Sequence, residues 1–515
     1  MMLHAQQLSA EVNGRELFTD QTLTVQEGDR IGLIGANGSG KSTLLQLLAG
    51  QRPPDHGSCH VESNIVYLPQ LKEAEAKSGG ELTQAWIQKA FAEQGGLLLA
   101  DEPTTSLDEA HIQWLEDKLQ HWKGAYIIVS HDRAFLDRTC SSLWIIEQNA
   151  IHTFSGPYHL YEEQKRRETR EQQQAYESYV RQKRSLEEAA RRREERANQL
   201  TSTKNVSRSE ASITGAKPYF AKKQKKMQQT AKAMEKRMEQ LEEVDKPWEE
   251  KPLRMTLPRG KGRDRQEEVF VKHMTAEAGG KRLWTVMPFP VRHGERLALT
   301  GSNGSGKTTF LKKLQQGDGV TKAGWSRLGF FQQDLTMLRL DDTVLENTER
   351  EAVQPREVIR TILARLGFRG RDAEKKAAVL SGGERVKLSL AMLMTGSYTG
   401  LVLDEPTSFL DIEAVEALER LLADYPGTLI IVSHDRRFRS RTTNLEINIE
   451  AGRLWRPDMQ GNAQTEADEE LMRIETRLAE VIGRLSLEPD AELESEFQKL
   501  LKMKKAFAGR SWQQR

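Results

Sequence analysis

The sequence predicts an α/β protein in which one domain occurs twice in tandem, the copies joined by a long α-helical hairpin and followed by a C-terminal helical extension. Three observations carry this. A glycine-rich strand-to-helix segment recurs at an offset of 266 residues, as Gly35-Ala-Asn-Gly-Ser-Gly-Lys41-Ser42-Thr43 and Gly301-Ser-Asn-Gly-Ser-Gly-Lys307-Thr308-Thr309. Three more segments recur at an offset of 303: Ser78-Gly-Gly-Glu81 with Ser381-Gly-Gly-Glu384, Asp101-Glu-Pro-Thr with Asp404-Glu-Pro-Thr, and His131-Asp-Arg with His434-Asp-Arg. Between the copies, residues 158–200 contain neither Pro nor Gly.

The two offsets differ because the first copy lacks about 40 residues between Gln70 and Ser78 that the second copy has. Chance does not hold register over so many segments, so the repeat is one fold used twice. The expected organisation is a first domain over 1–157, a hairpin over 158–248 with its tip at about 201–220, a second domain over 249–457 and the extension over 458–515.

Composition narrows the class. The chain has 515 residues, and 76 basic side chains face 75 acidic ones, a net charge of +1. Charged residues make up 29%, which suits long solvated helices beside ordinary cores. Two cysteines, Cys59 and Cys140, imply no disulfide framework and suit a reducing cytoplasm. No apolar run of about 18 residues and no signal-peptide pattern is present, so a soluble cytoplasmic protein with no membrane span is expected.

Each glycine-rich segment follows an apolar strand and precedes a helical run, the context of a phosphate-binding loop. Glycines let backbone N–H groups close around phosphates, and the helix N-terminus adds positive potential. Both copies are thus P-loop ATPase domains that bind ATP. The first loop offers Gly35, Asn37, Gly38, Gly40, Lys41, Ser42 and Thr43, and the second Gly301, Asn303, Gly304, Gly306, Lys307, Thr308 and Thr309. Lys41 and Lys307 reach the β- and γ-phosphates, and Ser42 and Thr308 hold Mg²⁺. Asp101 and Asp404 end apolar strands and are placed to orient Mg²⁺. The following Glu102 and Glu405 are placed to polarise the attacking water, and His131 and His434 to contact the γ-phosphate. Gln70 and Gln333 complete the Mg²⁺ and water shell. Phe18 and Trp284 either stack on adenine or pack within their strands.

The linker reads differently. Residues 161–200 hold 11 basic and 9 acidic side chains and a thin apolar stripe of Tyr179, Leu186, Ala190, Ala197 and Leu200. This is a solvated helix of roughly 60 Å. Met227, Ala231, Met234, Met238 and Leu241 then alternate at heptad spacing, which predicts an antiparallel return helix. Residues 201–230 set seven basic side chains, Lys204, Arg208, Lys217, Lys222, Lys223, Lys225 and Lys226, against the single acid Glu210. Tyr219 and Phe220 lie among them. Cations for phosphates and rings for bases predict RNA or DNA contact at the tip. In the tail, Leu471, Ile474, Leu478, Val481 and Leu485, then Leu493, Phe497, Leu500 and Met503, predict a second helical hairpin that braces the second domain or meets a partner.

Ser78-Gly79-Gly80-Glu81 and Ser381-Gly382-Gly383-Glu384 resemble the ABC ATPase signature. The resemblance implies two ABC-type cassettes in a head-to-tail sandwich within one monomer, each signature completing the other cassette's nucleotide site. Site one would join Lys41, Glu102 and His131 to Ser381, Gly382 and Gly383. Site two would join Lys307, Glu405 and His434 to Ser78, Gly79 and Gly80. ATP would close the sandwich and hydrolysis reopen it.

Two fused cassettes around a charged hairpin, without a membrane span, resemble the ABC-F family over nearly the whole chain. That resemblance implies binding at the E site of the 70S ribosome, with the hairpin reaching P-site tRNA and 23S rRNA near the peptidyl transferase centre. The shortened first cassette before Lys77, the long tip and the C-terminal extension are similar to the antibiotic-resistance, ribosome-protecting branch, which implies action against pleuromutilins, lincosamides and streptogramin A. The chain departs from the family in Asp101-Glu-Pro-Thr-Thr-Ser-Leu-Asp108 and Asp404-Glu-Pro-Thr-Ser-Phe-Leu-Asp411, where many members have Asn-His before Leu-Asp. The inter-cassette aspartates remain, and Lys77 in place of an apolar residue implies a slower second site. A housekeeping ABC-F factor acting on stalled ribosomes, an exporter motor and a DNA-directed ATPase are the competing readings.

Overall fold

The computed structural model describes residues 1–12, 14–70, 79–92, 96–105, 107–199, 216–241, 243–245, 253, 255, 266–331 and 337–459. The chain divides into two compact units, Gly156–Pro252 on the one hand and Met1–Ser155 with the chain from Leu253 on the other.

The first cassette runs β1 (Leu3–Val12), β2 (Arg15–Val25), β3 (Arg30–Gly35), α1 (Lys41–Leu48), β4 (His56–Val61), β5 (Ile65–Leu68), α2 (Gly79–Ala92), β6 (Leu97–Asp101), α3 (Glu109–Gln120), β7 (Ala125–Val129), α4 (Arg133–Thr139), β8 (Ser142–Glu147) and β9 (Ala150–Ser155). Its main sheet has the order β5-β6-β7-β3-β8-β9, parallel except where β9 returns beside β8. Leu97-Leu-Leu-Ala-Asp101 and Ala125-Tyr-Ile-Ile-Val129 are buried along their whole length. Unbroken apolar runs are what a strand covered on both faces requires. A smaller antiparallel sheet, β2-β1-β4, lies beside it.

The hairpin unit consists of α5 (Tyr158–Gln199) and α6 (Ala216–Glu239). The 42 residues of α5 span about 63 Å at the α-helical rise. Exposed i,i+4 pairs such as Arg184–Glu188 at 3.4 Å and Arg191–Glu195 at 3.0 Å line it, which supports a helix that buries little. The return is antiparallel: Arg193 Nη1 meets Met234 Sδ at 3.2 Å, while Tyr179, Val180 and Lys183 share a groove with Glu243 and Val244. Met227, Met234, Met238 and Leu241 are half-buried, as their heptad spacing predicts. Residues 216–220, expected in the tip, are already helical, and Pro218 fits because the first turn needs no N–H donor there. Residues 201–215 of the expected tip, and the expected C-terminal hairpin beyond Met459, lie outside the described residues.

The second cassette runs β10 (Glu267–Val271), β11 (Thr275–Ala278), β12 (Lys281–Val286), β13 (Phe289–Arg292), β14 (Arg296–Gly301), α7 (Lys307–Gln316), β15 (Val320–Lys322), β16 (Leu328–Phe331), α8 (Val344–Glu349), α9 (Arg356–Arg365), α10 (Gly382–Thr395), β17 (Gly400–Asp404), α11 (Ile412–Asp424), β18 (Thr428–Val432), α12 (Arg436–Thr442), β19 (Leu445–Glu450) and β20 (Arg453–Trp455). The main sheet, β11-β12-β20-β19-β14-β18-β17-β16, puts β14 between β18 and β19, as β3 lies between β7 and β8. The additional residues of this copy form α8 and α9, whose Val344, Ile359, Ile362 and Leu363 pack with Leu388 and Leu390 of α10. Capping boxes start α8 at Thr343 with Glu346 and α10 at Ser381 with Glu384.

One buried carboxylate ties the small sheet β13-β10-β15 to the base of the main sheet. Glu268 is fully buried and accepts from His293 Nδ1 at 2.9 Å, from Ser326 Oγ at 3.3 Å and from the Thr399 and Thr428 hydroxyls. Burial pushes its carboxyl up, and these hydrogen bonds outweigh burial and hold it below the usual range. Glu268→Ala strands several buried polar groups, so a loss of about 3 kcal/mol or more is expected, read as a lower thermal midpoint without nucleotide.

Candidate functional site

Both phosphate loops sit at the carboxyl end of the central parallel strand, where ligands of open α/β sheets bind. Gly40 and Gly306 cap α1 and α7 with φ of 102° and 95°, in the left-handed region. A Cβ on Gly40 would lie 3.1 Å from Leu17, and one on Gly306 only 2.6 Å from Trp284 Nε1. Glycine is therefore required by backbone and by space. Lys41 Nζ donates to the carbonyls of Gly35 at 2.8 Å and Ala36 at 3.0 Å, and Lys307 Nζ to those of Gly301 at 2.7 Å and Ser302 at 3.2 Å. Burial holds both lysines below their ordinary value, so each gains from an incoming phosphate.

Beside each loop a hydroxyl pairs with the strand-end carboxylate. Thr308 Oγ1 donates to Asp404 Oδ2 at 3.1 Å, and the Ser42 hydroxyl bonds Asp101. One hydroxyl and one carboxylate beside a phosphate loop fit Mg²⁺, which takes oxygen ligands and keeps the rest of its shell in water and phosphate. Gln70 is exposed at the exit of β5, and Gln333 lies outside the described residues.

Glu102 and Glu405 have φ of 52° and 49°, rare for side chains larger than glycine. Their N–H groups are held by the carbonyls of Val129 and Val432, at 3.0 and 2.9 Å. The strain is imposed identically in the two copies, and strain of this kind concentrates at functional sites. His131 Nε2 lies 3.3 Å from Glu102 Oε1, and His434 Nε2 lies 3.5 Å from Glu405 Oε1. Burial raises the glutamates, Glu102 to about 8 and Glu405 to about 7. Burial, with the nearby lysine cation, lowers His131 to about 3 and His434 to about 4, so both imidazoles are neutral.

The cassettes meet over these loops. The Asn37 N–H donates to Asp411 Oδ2 at 3.2 Å and the Asn303 N–H to Asp108 Oδ2 at 3.1 Å. The other oxygen of each aspartate caps its own helix, Asp411 to Ala414 N at 2.9 Å and Asp108 to His111 N at 3.1 Å. Asn37 Nδ2 also donates to the Phe409 carbonyl at 2.7 Å. Of the second signature, Ser381 caps α10, and a Cβ on Gly383 would lie 2.8 Å from that carbonyl and 3.1 Å from Asn37 Nδ2. Gly383 thus stands beside the first phosphate loop, and Gly382 precedes it in the first turn of α10. Of the first signature, Gly79 and Gly80 open α2, and Ser78 lies outside the described residues.

The aromatic expectation needs correction. Phe18 and Trp284 are completely buried beneath their phosphate loops, Trp284 donating to the Gly306 carbonyl at 3.2 Å, and neither ring has a face open to adenine. Successive strand side chains point to opposite faces, so the residue before Trp284 faces the other way. Leu283, with Ala278, lines the 370 Å³ cleft at the second loop beside Gly304, Lys307, Thr308, Asp404, Glu405 and His434. The alternation Leu283-Trp284 held this signal, but the larger ring masks it.

Comparisons with known proteins agree with this geometry. Residues 18–77 and 285–408 match the ABC transporter family. The chain is 31% identical to the ribosome protection protein VmlR of Bacillus subtilis, over 93% of this chain and 92% of VmlR. The chain belongs to the ABC-F family. A second relative, the erythromycin resistance ATP-binding protein MsrA of Staphylococcus epidermidis, is 33% identical over 80% of this chain and 90% of MsrA. Among solved structures, the archaeal ribosome recycling factor aABCE1 shares the fold, with a TM-score of 0.57 at 19% identity over 87% of this chain and 89% of that one. This ABC-F chain is accordingly an ATP-hydrolysing enzyme with two ABC ATPase domains in tandem. No described helix is long and apolar enough to cross a membrane.

Proposed function

We propose that the chain is a cytoplasmic ribosome protection protein, an ATP-timed clamp that binds the E site of the 70S ribosome. Its hairpin extends toward P-site tRNA and 23S rRNA near the peptidyl transferase centre and relieves inhibition by pleuromutilins, lincosamides or streptogramin A. The observation that carries this reading is the likeness to VmlR along nearly the whole chain, hairpin included. The hairpin supports it chemically: Lys222, Lys225 and Lys226 are exposed near the start of α6, where they can neutralise phosphates. Lys217, Tyr219, Phe220 and Lys223 lie on the same helix, and Lys204 and Arg208 lie outside the described residues.

At each loop, Lys41 or Lys307 takes the β- and γ-phosphates, and Glu102 or Glu405 acts as the base toward water, with His131 or His434 on the γ-phosphate. Ser42 with Asp101, and Thr308 with Asp404, would hold Mg²⁺, which when bound neutralises phosphate charge. Ser381, Gly382 and Gly383 complete the first site; Ser78, Gly79 and Gly80 complete the second.

The test is co-sedimentation and growth. A Glu102→Gln/Glu405→Gln variant with ATP should pellet with 70S ribosomes, and expression of the native chain should raise the inhibitory concentrations of lincomycin and tiamulin. Ribosome binding with unchanged drug sensitivity would instead identify a housekeeping translation factor. Recovery in membranes without ribosome binding would identify an exporter motor.

A further inference from the structure

The two bridges from aspartate to phosphate loop are alike at the aspartate and unlike behind it. Behind Asp411 stands Lys387, whose Nζ lies 3.5 Å from the same Oδ2 that accepts from Asn37 N. Both side chains are largely buried, so the pair is poorly screened. Lys387 belongs to α10, the helix that opens with Ser381, Gly382 and Gly383. Behind Asp108 the charged partner is absent from the repeat: at the 303-residue offset, Gln84 takes the place of Lys387. Asp108 is met instead by His111 Nδ1 at 2.6 Å, from its own helix, where the second copy has Ala414.

We propose that Lys387 is a positioning residue for the first nucleotide site: it ties Asp411, and through it the first phosphate loop, to the signature helix that completes that site. Signature helix, aspartate and loop then close as one body at the first site. At the second site, among the described residues, the side chain held against the aspartate comes from α3, so closure there lacks this tie to the signature helix α2. The first site is therefore the one that holds nucleotide longer in the closed clamp. The direction of the Asp411 carboxyl agrees: burial pushes it up, and Lys387 with the Ala414 and Asn37 N–H groups outweighs burial and holds it ionised. The tight approach of Gly383 to Asn37 gives the coupling its geometry, since α10 cannot move without moving that contact.

The inference rests on the assignment of Glu102 and Glu405 above, and its test separates the two. The Glu102→Gln/Glu405→Gln chain is loaded with fluorescent ATP, freed of excess, and its release followed. Two nucleotides leaving in two phases are expected, the slow phase being the one that Lys41→Ala removes. Adding Lys387→Gln should speed that slow phase by about tenfold while shifting the fast phase by less than about twofold, and Lys387→Arg should restore it. A merely structural lysine would speed both phases alike and would not be rescued by Arg. Equal acceleration of both phases, no acceleration, or a larger change in the fast phase overturns the proposal and leaves the assignment of the glutamates intact. A parent variant that retains no nucleotide overturns that assignment, and the proposal with it.

Discussion

Arg133→Met should abolish ATP-driven turnover and destabilise the closed pair of cassettes by about 3–5 kcal/mol. Arg133 has no exposed surface, and it reaches across the cassette boundary. Its guanidinium takes both carboxylate oxygens of Glu419 and lies 3.7 Å from both Glu416 and Asp435. Removing it takes from buried Asp435 a cation that favours its ionised form. Asp132 is already raised to about 6 by burial and by Asp435, so the two carboxylates have no room for another uncompensated charge. The repeat shows what the pair does. Arg436, the counterpart of Arg133, lies 2.8 Å from Glu109 and 3.9 Å from Glu116, while Arg138 and Arg441 hold Glu116 and Glu419 from behind, each at 2.9 Å. The charges form two related clusters in the interface, and each arginine follows its nucleotide-site histidine by two residues. The double variant Arg133→Met/Glu419→Met should recover part of the stability, because a buried pair removed together costs less than one partner removed alone. Thermal melting and steady-state phosphate release measure both. A single variant that melts and turns over like the native chain would sink the argument.

How much of this was legible beforehand follows from what kind of interaction each feature uses. The phosphate loops, Asp101 and Asp404, and the strands that carry them are local patterns of glycine spacing and apolar runs, and a linear reading resolves them. The helical hairpin was legible for the same reason, because heptad spacing of Met227, Met234 and Met238 is a property of one segment. The orientation of Phe18 and Trp284 was not. It depends on which face of β2 and β12 meets the phosphate loop, and a one-residue slip in strand phase reverses that. The Arg133–Glu419 and Lys387–Asp411 pairs were illegible for a different reason. Their partners lie 286 and 24 residues apart in the chain, and only the first crosses between cassettes. Aligning the repeats reveals that Lys387 has no counterpart, but only the fold places it against Asp411. The left-handed backbone at Glu102 and Glu405 is likewise set by the hydrogen bonds to Val129 and Val432, which are tertiary.

The pH dependence of catalysis should report the glutamates and not the histidines. A base must be ionised to accept a proton from water, and kcat/KM reports the free enzyme's ionisations. With Glu102 near 8 and Glu405 near 7, kcat/KM for ATP should rise from pH 6 to about 8.5 and then level. His131 near 3 and His434 near 4 stay neutral throughout, so no limb in this range belongs to them. The single variants separate the sites. Glu405→Gln leaves the first site and should move the limb toward 8; Glu102→Gln leaves the second and should move it toward 7. Each substitution should slow its own site by about 10²- to 10⁴-fold, the usual worth of a positioned base. Stability gives an independent check with a fixed sign. A carboxyl raised by folding binds its proton more tightly in the folded state, so its contribution is present at low pH and lost as pH rises through the folded value. Without nucleotide, Glu102→Gln should therefore match the native chain near pH 5 and melt at a higher temperature near pH 9. A flat kcat/KM profile across pH 6–8.5, or a Gln variant that melts no higher than the native chain near pH 9, would show that burial does not set the ionisation of these glutamates. The base would then have to be sought elsewhere in the closed site.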